Sequence, residues 1–397
     1  MPWKETCAMD ERARFVIDCE KDEYSKAALC RVYGISRPTA DKWLALYDEF
    51  GLEGLADRSR APGRHPNQIS DLTEEAILQA RRDHPRWGPK KLKAHLEKEA
   101  PGRTWPANST IGEVLKRNGL TVPRKRRRRT PPFTQPFSDC NECNVVWCAD
   151  FKGWFKTGDG SRCDPFTVSD AHSRFLLKCQ AVKHPGFVTV RGILEATFRE
   201  FGVPLAIRTD NGTPFAGRGI FGLSRLSVWF LKLGIIPERI EPGKPQQNGR
   251  HERMHLTLKQ ETAMPPKRTL RSQQRCFDLF REEYNFVRPH EALEMRCPGD
   301  IYYNSPRPYP ERFGAVEYPS GLAVRMVQKR GEFYWHRHRV FLGEAFGDER
   351  IGLEPVDGRY WFVYYTDVLI GVFDSHGCVV LSLTAAARLG INPPEEG

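Results

Sequence analysis

The chain has 397 residues, and its 61 Lys and Arg against 50 Asp and Glu give a formal net charge of +11. This length predicts two to four domains, and the charge suits nucleic acid better than an anionic membrane surface. No stretch approaches about 18 uncharged apolar residues and no signal peptide opens the chain, so a cytoplasmic protein with no membrane partner is expected. Eleven cysteines at irregular spacing are typical of reduced thiols, and Cys140-x-x-Cys143 lacks a second pair to complete a zinc site.

The first predicted domain covers residues 1–60 and contains a helix-turn-helix at about 24–47. Gly34 supplies the turn, Ser36 is a plausible N-cap and Pro38 fits the first turn of the second helix. The alternative is a helical hairpin that only packs. In the DNA-binding interpretation, the side chains predicted to face a major groove are Arg37, Thr39 and Lys42.

A second helical domain is predicted for residues 61–123, where three short amphipathic helices suit a winged or trihelical DNA reader. A basic linker follows at 124–139 and opens with six consecutive cations: Arg124, Lys125, Arg126, Arg127, Arg128 and Arg129. Such charges repel one another in a compact element, so the linker is expected to be extended and to lie along phosphates. A solvated spacer without specific contacts is the alternative.

Strand and helix patterns alternate from 140 to 303. Two hairpin-linked antiparallel pairings, a helix, a parallel strand and further helices indicate an α/β mixed sheet of the RNase H-like class. The strand-like runs are 144–151, 165–170, 174–182, 204–209 and 235–240, and the helical runs are about 190–201, 226–233 and 248–263.

Three carboxylates in this region are candidates for a metal site. Asp150 lies in a predicted strand, Asp210 follows another, and Glu252 lies in the first turns of the last predicted helix. Neighbouring carboxylates on rigid elements repel one another unless a cation is present. The trio is therefore predicted to hold two divalent metal ions, Mg²⁺ with Mn²⁺ as a substitute, for phosphodiester chemistry.

Five longer strings carry a specific resemblance. They resemble the bacterial insertion-sequence transposases, whose catalytic core is shared with retroviral integrases. The strings are Trp147-Cys-Ala-Asp150-Phe-Lys152-Gly153-Trp154, Asp170-Ala-His172-Ser173-Arg174, Thr209-Asp210-Asn211-Gly212-x-Pro-Phe215, Pro245-Gln-Gln-Asn248-Gly249-Arg250-x-Glu252-Arg253 and Tyr284-Asn285-x-x-Arg288-Pro289-His290-x-x-Leu293.

The resemblance implies that Asp150, Asp210 and Glu252 are the catalytic, metal-binding triad of a DDE transposase. Such an enzyme binds the terminal repeats of its element, cuts at the 3′ ends and transfers them to target DNA, acting as a homodimer or higher oligomer. The DNA contacts predicted in the core are Asn248, Arg250 and Lys259. The chain departs from retroviral integrases at Leu256, where those proteins have a DNA-contacting lysine, and it lacks their N-terminal His/Cys zinc module.

Residues 310–388 have a different sequence pattern, with six short β runs separated by glycines. This spacing predicts a small SH3-like β-barrel. Basic and aromatic residues interleave at 329–339, which favours contact with a nucleic-acid backbone and stacking on bases. The alternative is that they are only the solvent-exposed exterior of the barrel.

Two alternatives to the transposase hypothesis remain. His251-Glu252-Arg253-Met254-His255 satisfies the H-E-x-x-H pattern of zinc proteases, although no third ligand follows at the usual spacing and the pattern leaves Asp150 and Asp210 unexplained. The second alternative is a DNA-binding regulator built on an inactive integrase-like core.

Overall fold

The computed structural model describes residues 7–57, 68–121, 140–217, 222–240 and 249–392, apart from the side chain of Arg250. The chain forms two compact units, Met1–Ser70 and Asp71–Gly397. Within the described ranges, none of the helices has the length and apolar character needed to cross a membrane.

The first unit contains the predicted helix-turn-helix. Its helices are α1 (Ala8–Glu20), α2 (Lys26–Val32) and α3 (Arg37–Phe50). Gly34 adopts a φ of +62° in the turn, a conformation that favours glycine, and the Ser36 side chain accepts a hydrogen bond from the Thr39 amide at the start of α3. Buried Phe15 of α1, which the sequence did not predict as a helix, packs in the same core as Leu29 and Ala40.

The second unit begins with the three helices expected in the predicted second helical domain. They are α4 (Asp71–Asp83), α5 (Pro89–Glu99) and α6 (Asn108–Arg117). These helices contact the C-terminal part of the predicted 140–303 region: Lys98 Nζ lies 3.3 Å from Asp300 Oδ1, and the Arg288 guanidinium lies 5.9 Å from the Trp87 ring centroid. They therefore belong to the same compact unit as the core, and their role as a DNA reader stays a prediction.

A mixed sheet forms the centre of the second unit, as predicted. The strands are β1 (Val146–Phe151), β2 (Phe155–Lys156), β3 (Arg162–Asp170), β4 (Leu176–Val182), β5 (Ala206–Thr209) and β6 (Ile236–Arg239). Their order is β4-β3-β1-β5-β6 with β2 also paired to β3, and β1 pairs antiparallel with β3 and parallel with β5. This is the predicted RNase H-like arrangement.

Helices cover both faces of this sheet. On one face α7 (Phe187–Phe201) and α8 (Arg225–Lys232) share a core with Trp147 and Phe166 of the strands. On the other face α9 (Gly249–Thr262) and α10 (Leu270–Glu282) pack against β3 and β4 through buried Met254, Leu258 and Phe277.

The C-terminal region is an antiparallel β domain. Its elements are β7 (Ala323–Met326), β8 (Glu332–Trp335), β9 (His338–Phe341), β10 (Arg350–Pro355), β11 (Tyr360–Tyr365), β12 (Val368–Asp374), β13 (Val379–Leu381) and α11 (Leu383–Ala387). Five strands pair in the order β13-β12-β11-β10-β7, while β8 and β9 form a separate hairpin. Both sheets share a hydrophobic core with Val228 and Leu231 of α8. The antiparallel strands are as predicted, and closure into an SH3-like barrel stays a prediction.

Candidate active site

Two of the predicted carboxylates lie at the same edge of the central sheet. In the parallel pairing of β1 with β5, Cys148 lies opposite Arg208. Asp150 comes two residues after the first of this pair and Asp210 two residues after the second, so both stand at the carboxyl ends of adjacent parallel strands. This edge is where open α/β sheets place their ligands.

The loop after β5 explains the Thr-Asp-Asn-Gly string. The Gly212 amide donates a hydrogen bond to Asp210 Oδ1 at 3.1 Å, and the Asn211 side-chain amide donates to the Ile240 carbonyl at 2.6 Å. A Cβ at position 212 would lie 3.0 Å from Asp210 Oδ2. Glycine therefore leaves room for the half-buried Asp210 carboxylate beside the loop backbone.

Glu252 lies on the outer face of α9. One stripe of this helix is buried against the sheet, at His251, Met254, His255, Leu258 and Thr262. The spacing of three and four residues is that of a single helix face. A flank of the helix beside this stripe exposes Glu252, Leu256 and Lys259, so the glutamate and the predicted DNA-contacting lysine project from the same side.

Electrostatics links the three carboxylates. Asp150 is partly buried, with 19% of its side chain exposed. Burial, together with the negative charges of Asp210 and Glu252, raises the pKa of the Asp150 carboxyl to about 7. Two effects act in the opposite direction: the hydrogen bond from the Phe151 amide at 2.7 Å and the positive charge of Lys152. An acidic group in this situation requires either a proton or a cation, and three carboxylates are the oxygen donor set that Mg²⁺ prefers. The chemistry of these side chains suits a divalent metal ion, and its binding by Asp150, Asp210 and Glu252 together stays a prediction.

A buried polar network lies directly behind Asp150. Thr167 is paired with Asp150 across β1 and β3. Its hydroxyl contacts the Nε2 atoms of His251 at 2.8 Å and His255 at 2.7 Å, and Ser169 Oγ lies 2.9 Å from His251 Nδ1. Sequence reasoning did not single out Thr167 or Ser169. The signal was their alternation with apolar Phe166 and Val168 in β3, which places two hydroxyls on the sheet face that α9 covers.

Both histidines are held neutral by burial. Burial lowers the pKa of His251 to about 3, and it lowers the pKa of His255 well below its usual range, with a further contribution from His251. Within the described part of the chain, ligand atoms of Asp150, His251 and His255 form a group that could hold a metal, with all of them within 4.8 Å of one another.

The H-E-x-x-H pattern has a structural explanation. Its two histidines belong to the buried stripe of α9, and their Nε2 atoms converge on the Thr167 hydroxyl instead of an open cleft. Glu252, which would be the general base of a protease, points from the exposed face. The pattern therefore coincides with the packing period of an amphipathic helix.

The predicted DNA contacts are only partly within the described residues. Arg37 and Lys42 are exposed on α3, whereas the Thr39 hydroxyl lies 2.8 Å from Ser36 Oγ within the helix cap. The linker cations Arg124 to Arg129 and Asn248 lie outside the described residues, as does the side chain of Arg250. These contacts stay predictions.

Comparison with known families gives matches along much of the chain. Residues 11–63 match a helix-turn-helix domain and residues 39–115 a homeodomain-like domain. Residues 141–245 and 233–298 match the integrase core domain.

Similar proteins come from bacterial insertion elements. The uncharacterized 31.7 kDa protein of IS407 from Burkholderia multivorans is 24% identical over 71% of this chain and 92% of that protein. The uncharacterized 39.2 kDa protein of IS476 from Xanthomonas euvesicatoria is 29% identical over 63% of this chain and 71% of that protein. An uncharacterized IS136 protein from Agrobacterium fabrum is 30% identical over 39% of this chain and 80% of that protein.

Among solved structures, the comparison finds retroviral integrases at low sequence identity and low TM-score. The catalytic core of HTLV-2 integrase in complex with magnesium is 15% identical, with a TM-score of 0.33, over 41% of this chain and 98% of that one. The simian T-cell lymphotropic virus intasome is 16% identical, with a TM-score of 0.36, over 74% of this chain and 97% of that one.

Proposed function

Because the chain belongs to the insertion-element transposases with an integrase-like core, we propose that it is a DDE transposase. It binds the terminal repeats of its element, cuts at the 3′ ends and joins those ends to target DNA. The observation that carries this proposal is the partly buried Asp150 carboxylate, whose pKa is raised to about 7 by burial and by the charges of Asp210 and Glu252.

The three carboxylates are assigned to hold two divalent metal ions, Mg²⁺ with Mn²⁺ as a substitute. When bound, such a pair activates the attacking oxygen and stabilises the leaving oxygen of an in-line displacement. Asp150 and Asp210 project from adjacent strand ends, which fixes their separation, while Glu252 approaches from α9. Because these supports are a sheet and a packed helix, the carboxylates are preorganised before DNA binds.

DNA is held by surfaces outside the triad. Lys259 lies on the exposed face of α9 that carries Glu252, where it can contact a phosphate near the reacting bond. Arg37 and Lys42 of α3 are assigned to base edges of the terminal repeat, and the linker cations Arg124 to Arg129 to phosphates. Base-edge contacts carry sequence information and phosphate contacts do not.

The two element ends must meet, so a homodimer or higher oligomer on DNA is part of the proposal. The C-terminal β domain is assigned the role of an SH3-like barrel that contacts the DNA backbone.

The test is a cleavage assay with the full chain. Duplex DNA carrying the element's terminal repeats is incubated with the protein and Mg²⁺ or Mn²⁺, and nicking at the 3′ ends is measured, followed by joining to a labelled target duplex. Wild-type protein is expected to nick and join only when the divalent ion is present. A duplex with a scrambled terminal sequence serves as the substrate control.

A matched pair of variants separates the triad from general effects of charge. Glu252→Gln is expected to abolish nicking and joining because it removes a metal-binding oxygen while leaving the buried stripe of α9 intact. Glu195→Gln removes a carboxylate from an exposed ion pair with Arg199 on α7 and is expected to retain activity. Metal-dependent cutting by Glu252→Gln would refute the triad. An inactive wild type that still binds the terminal repeats specifically would favour the regulator alternative.

A further inference from the structure

The hydrogen bonds around Thr167 determine which ring nitrogens of the two histidines carry hydrogen. The Thr167 hydroxyl has one proton, and it lies 3.2 Å from the Asp150 carbonyl oxygen as well as near both Nε2 atoms. All three contacts are satisfied when the hydroxyl donates to the carbonyl and each Nε2–H donates to the hydroxyl oxygen. Ser169 Oγ then donates to His251 Nδ1, which is the acceptor of that ring.

This assignment leaves the two histidines in different states. His251 has both nitrogens engaged, with Thr167 and Ser169. His255 uses Nε2 on Thr167, and its Nδ1 is an acceptor whose lone pair faces the Asp150 carboxylate, with 3.9 Å between Nδ1 and Oδ2. His255 is 3% exposed, so bulk water does not surround this atom.

Two electron-rich atoms therefore face each other at the buried side of the Asp150 carboxylate. A separation of 3.9 Å is too long for a direct hydrogen bond. It lies within the span of two metal–ligand bonds of about 2.1 Å each, the usual length for imidazole nitrogen and carboxylate oxygen on a first-row divalent ion. A cation bound to both atoms would satisfy the lone pair and the carboxylate together.

We propose that His255 Nδ1 is an additional ligand of the divalent metal ion held by Asp150, which makes this position a mixed nitrogen and oxygen site. The inference rests on the proposed function, since that proposal places a metal at Asp150. An imidazole ligand favours first-row transition ions over Mg²⁺. The site is therefore expected to bind Mn²⁺ more tightly than Mg²⁺, and His251 acts as a positioning residue and not as a second ligand.

The experiment uses Mn²⁺ as a spectroscopic probe of the full-length protein without DNA. Pulsed electron paramagnetic resonance detects magnetic coupling between bound Mn²⁺ and a coordinated nitrogen. Wild-type protein is expected to show ¹⁴N coupling, and protein labelled with ¹⁵N-histidine is expected to show the corresponding ¹⁵N coupling. This comparison requires no substitution, so it decides the proposal even if a histidine variant fails to fold.

His255→Gln and His251→Gln form a matched pair on the same buried stripe. His255→Gln is expected to lose the nitrogen coupling and to bind Mn²⁺ about 10-fold more weakly or worse, whereas His251→Gln keeps the coupling. Bound Mn²⁺ without nitrogen coupling in the wild type would overturn the proposal. So would coupling that persists in His255→Gln, or a wild type that binds no Mn²⁺.

DNA cleavage is measured separately, so the two proposals can fail independently. Metal-dependent nicking by a wild type whose Mn²⁺ shows only oxygen ligands would overturn the histidine ligand and leave the transposase function intact. Nitrogen-coupled Mn²⁺ in a protein that never cuts DNA would support the histidine ligand and contradict the transposase function. Zinc bound stoichiometrically and lost in both histidine variants would contradict the single-ligand assignment.

Discussion

Two aspartates at opposite ends of the β1–β3 pairing have different surroundings. Asp170 is almost fully buried, and its carboxylate accepts hydrogen bonds from the Asn144 amide at 2.8 Å, the Ser173 amide at 2.7 Å and the Ser173 hydroxyl at 2.6 Å. Asp150 is less buried, accepts a hydrogen bond from the Phe151 amide, and lies near the charges of Asp210 and Glu252.

The difference separates a carboxylate with a structural role from the one for which a catalytic role is proposed. At Asp170 the protein itself supplies the donors that compensate a buried charge, and the result is a closed turn between β3 and β4. At Asp150 the Phe151 amide and the positive charge of Lys152 offset only part of the effect of burial, Asp210 and Glu252, so a bound cation would stabilise the ionised carboxylate. Asp170 lies in a string that resembles transposases just as Asp150 does, and the environment of each carboxylate distinguishes their roles.

The largest predicted effect is the loss of cleavage in Asp150→Asn. This change removes a metal-binding oxygen and also removes the unfavourable charge, so 3′ nicking should fall below detection while the thermal stability of the metal-free protein is unchanged or higher near pH 8. Nicking assays and thermal denaturation measure the two effects. Asp170→Asn is the matched control and should still nick DNA below its own unfolding temperature. Loss of nicking in a folded Asp170→Asn would break the distinction between the two aspartates.

The second largest predicted effect is on the pH dependence of stability, to which the Asp150 carboxyl should contribute. The pKa of Asp150 is about 7 in the folded protein, above its ordinary value of 3.8, so the folded state binds more protons than the unfolded state between these values. The free energy of unfolding of the metal-free protein should therefore fall as pH rises from about 4 to 7, by up to about 4 kcal/mol for this group.

Denaturant unfolding at several pH values, compared between wild type and Asp150→Asn, isolates this contribution. The comparison is needed because buried His251 and His255 act in the opposite sense, losing stability as pH falls below about 6.5, and they are present in both proteins. Mg²⁺ should restore stability to the wild type above pH 7 and have little effect on the variant. Equal pH profiles for the two proteins would contradict the uncompensated charge at Asp150.

Local sequence pattern predicts much of the fold. The features that it does not predict depend on contacts between residues far apart in the chain. One of the six short β runs predicted in 310–388 is β11, whose five aromatic residues and one valine all favour a strand. Helix α1 was not predicted because only Phe15 and Val16 are buried among its charged residues. Packing of Trp87 near Arg288 joins residues about 200 positions apart in the chain, and no local pattern encodes it.

The candidate site also has residues that the sequence predicts and residues whose role only the structure explains. Asp150, Asp210 and Glu252 could be selected from strand and helix positions together with the transposase-like strings. The buried histidines could not be interpreted from sequence, because the i and i+4 spacing of His251 and His255 suits both a zinc-binding pair and the packing stripe of a helix. Only the contacts of both Nε2 atoms with Thr167, a residue 84 positions away from the first histidine, distinguish the two.

Asp170→Asn should have a smaller effect, on stability alone. The asparagine nitrogen would face donors at Asn144 or Ser173, leaving at least one buried amide or hydroxyl without an acceptor. A buried unsatisfied donor costs about 1–3 kcal/mol, and more where the lost partner was charged. Denaturant unfolding should report this loss, and the Mg²⁺ dependence of nicking should be unchanged. A stability equal to the wild type would mean that the hydrogen bonds at Asp170 do not compensate its charge.

The smallest effect distinguishes the serines beside the two sites. Ser173 donates to a carboxylate, whereas Ser169 donates to the neutral ring of His251. Hydrogen bonds to charged groups contribute about 1.5–3 kcal/mol and neutral ones about 1 kcal/mol. Ser169→Ala should therefore lower the free energy of unfolding by about 1 kcal/mol, less than Ser173→Ala, when both are measured by denaturant unfolding at pH 8.

The same variant tests which histidine meets the metal. In Ser169→Ala the Nδ1 atom of His251 lacks its donor while His255 keeps its contact with Thr167, so the variant should still bind Mn²⁺ with nitrogen coupling. Loss of that coupling would show that the ring of His251, and not of His255, meets the metal.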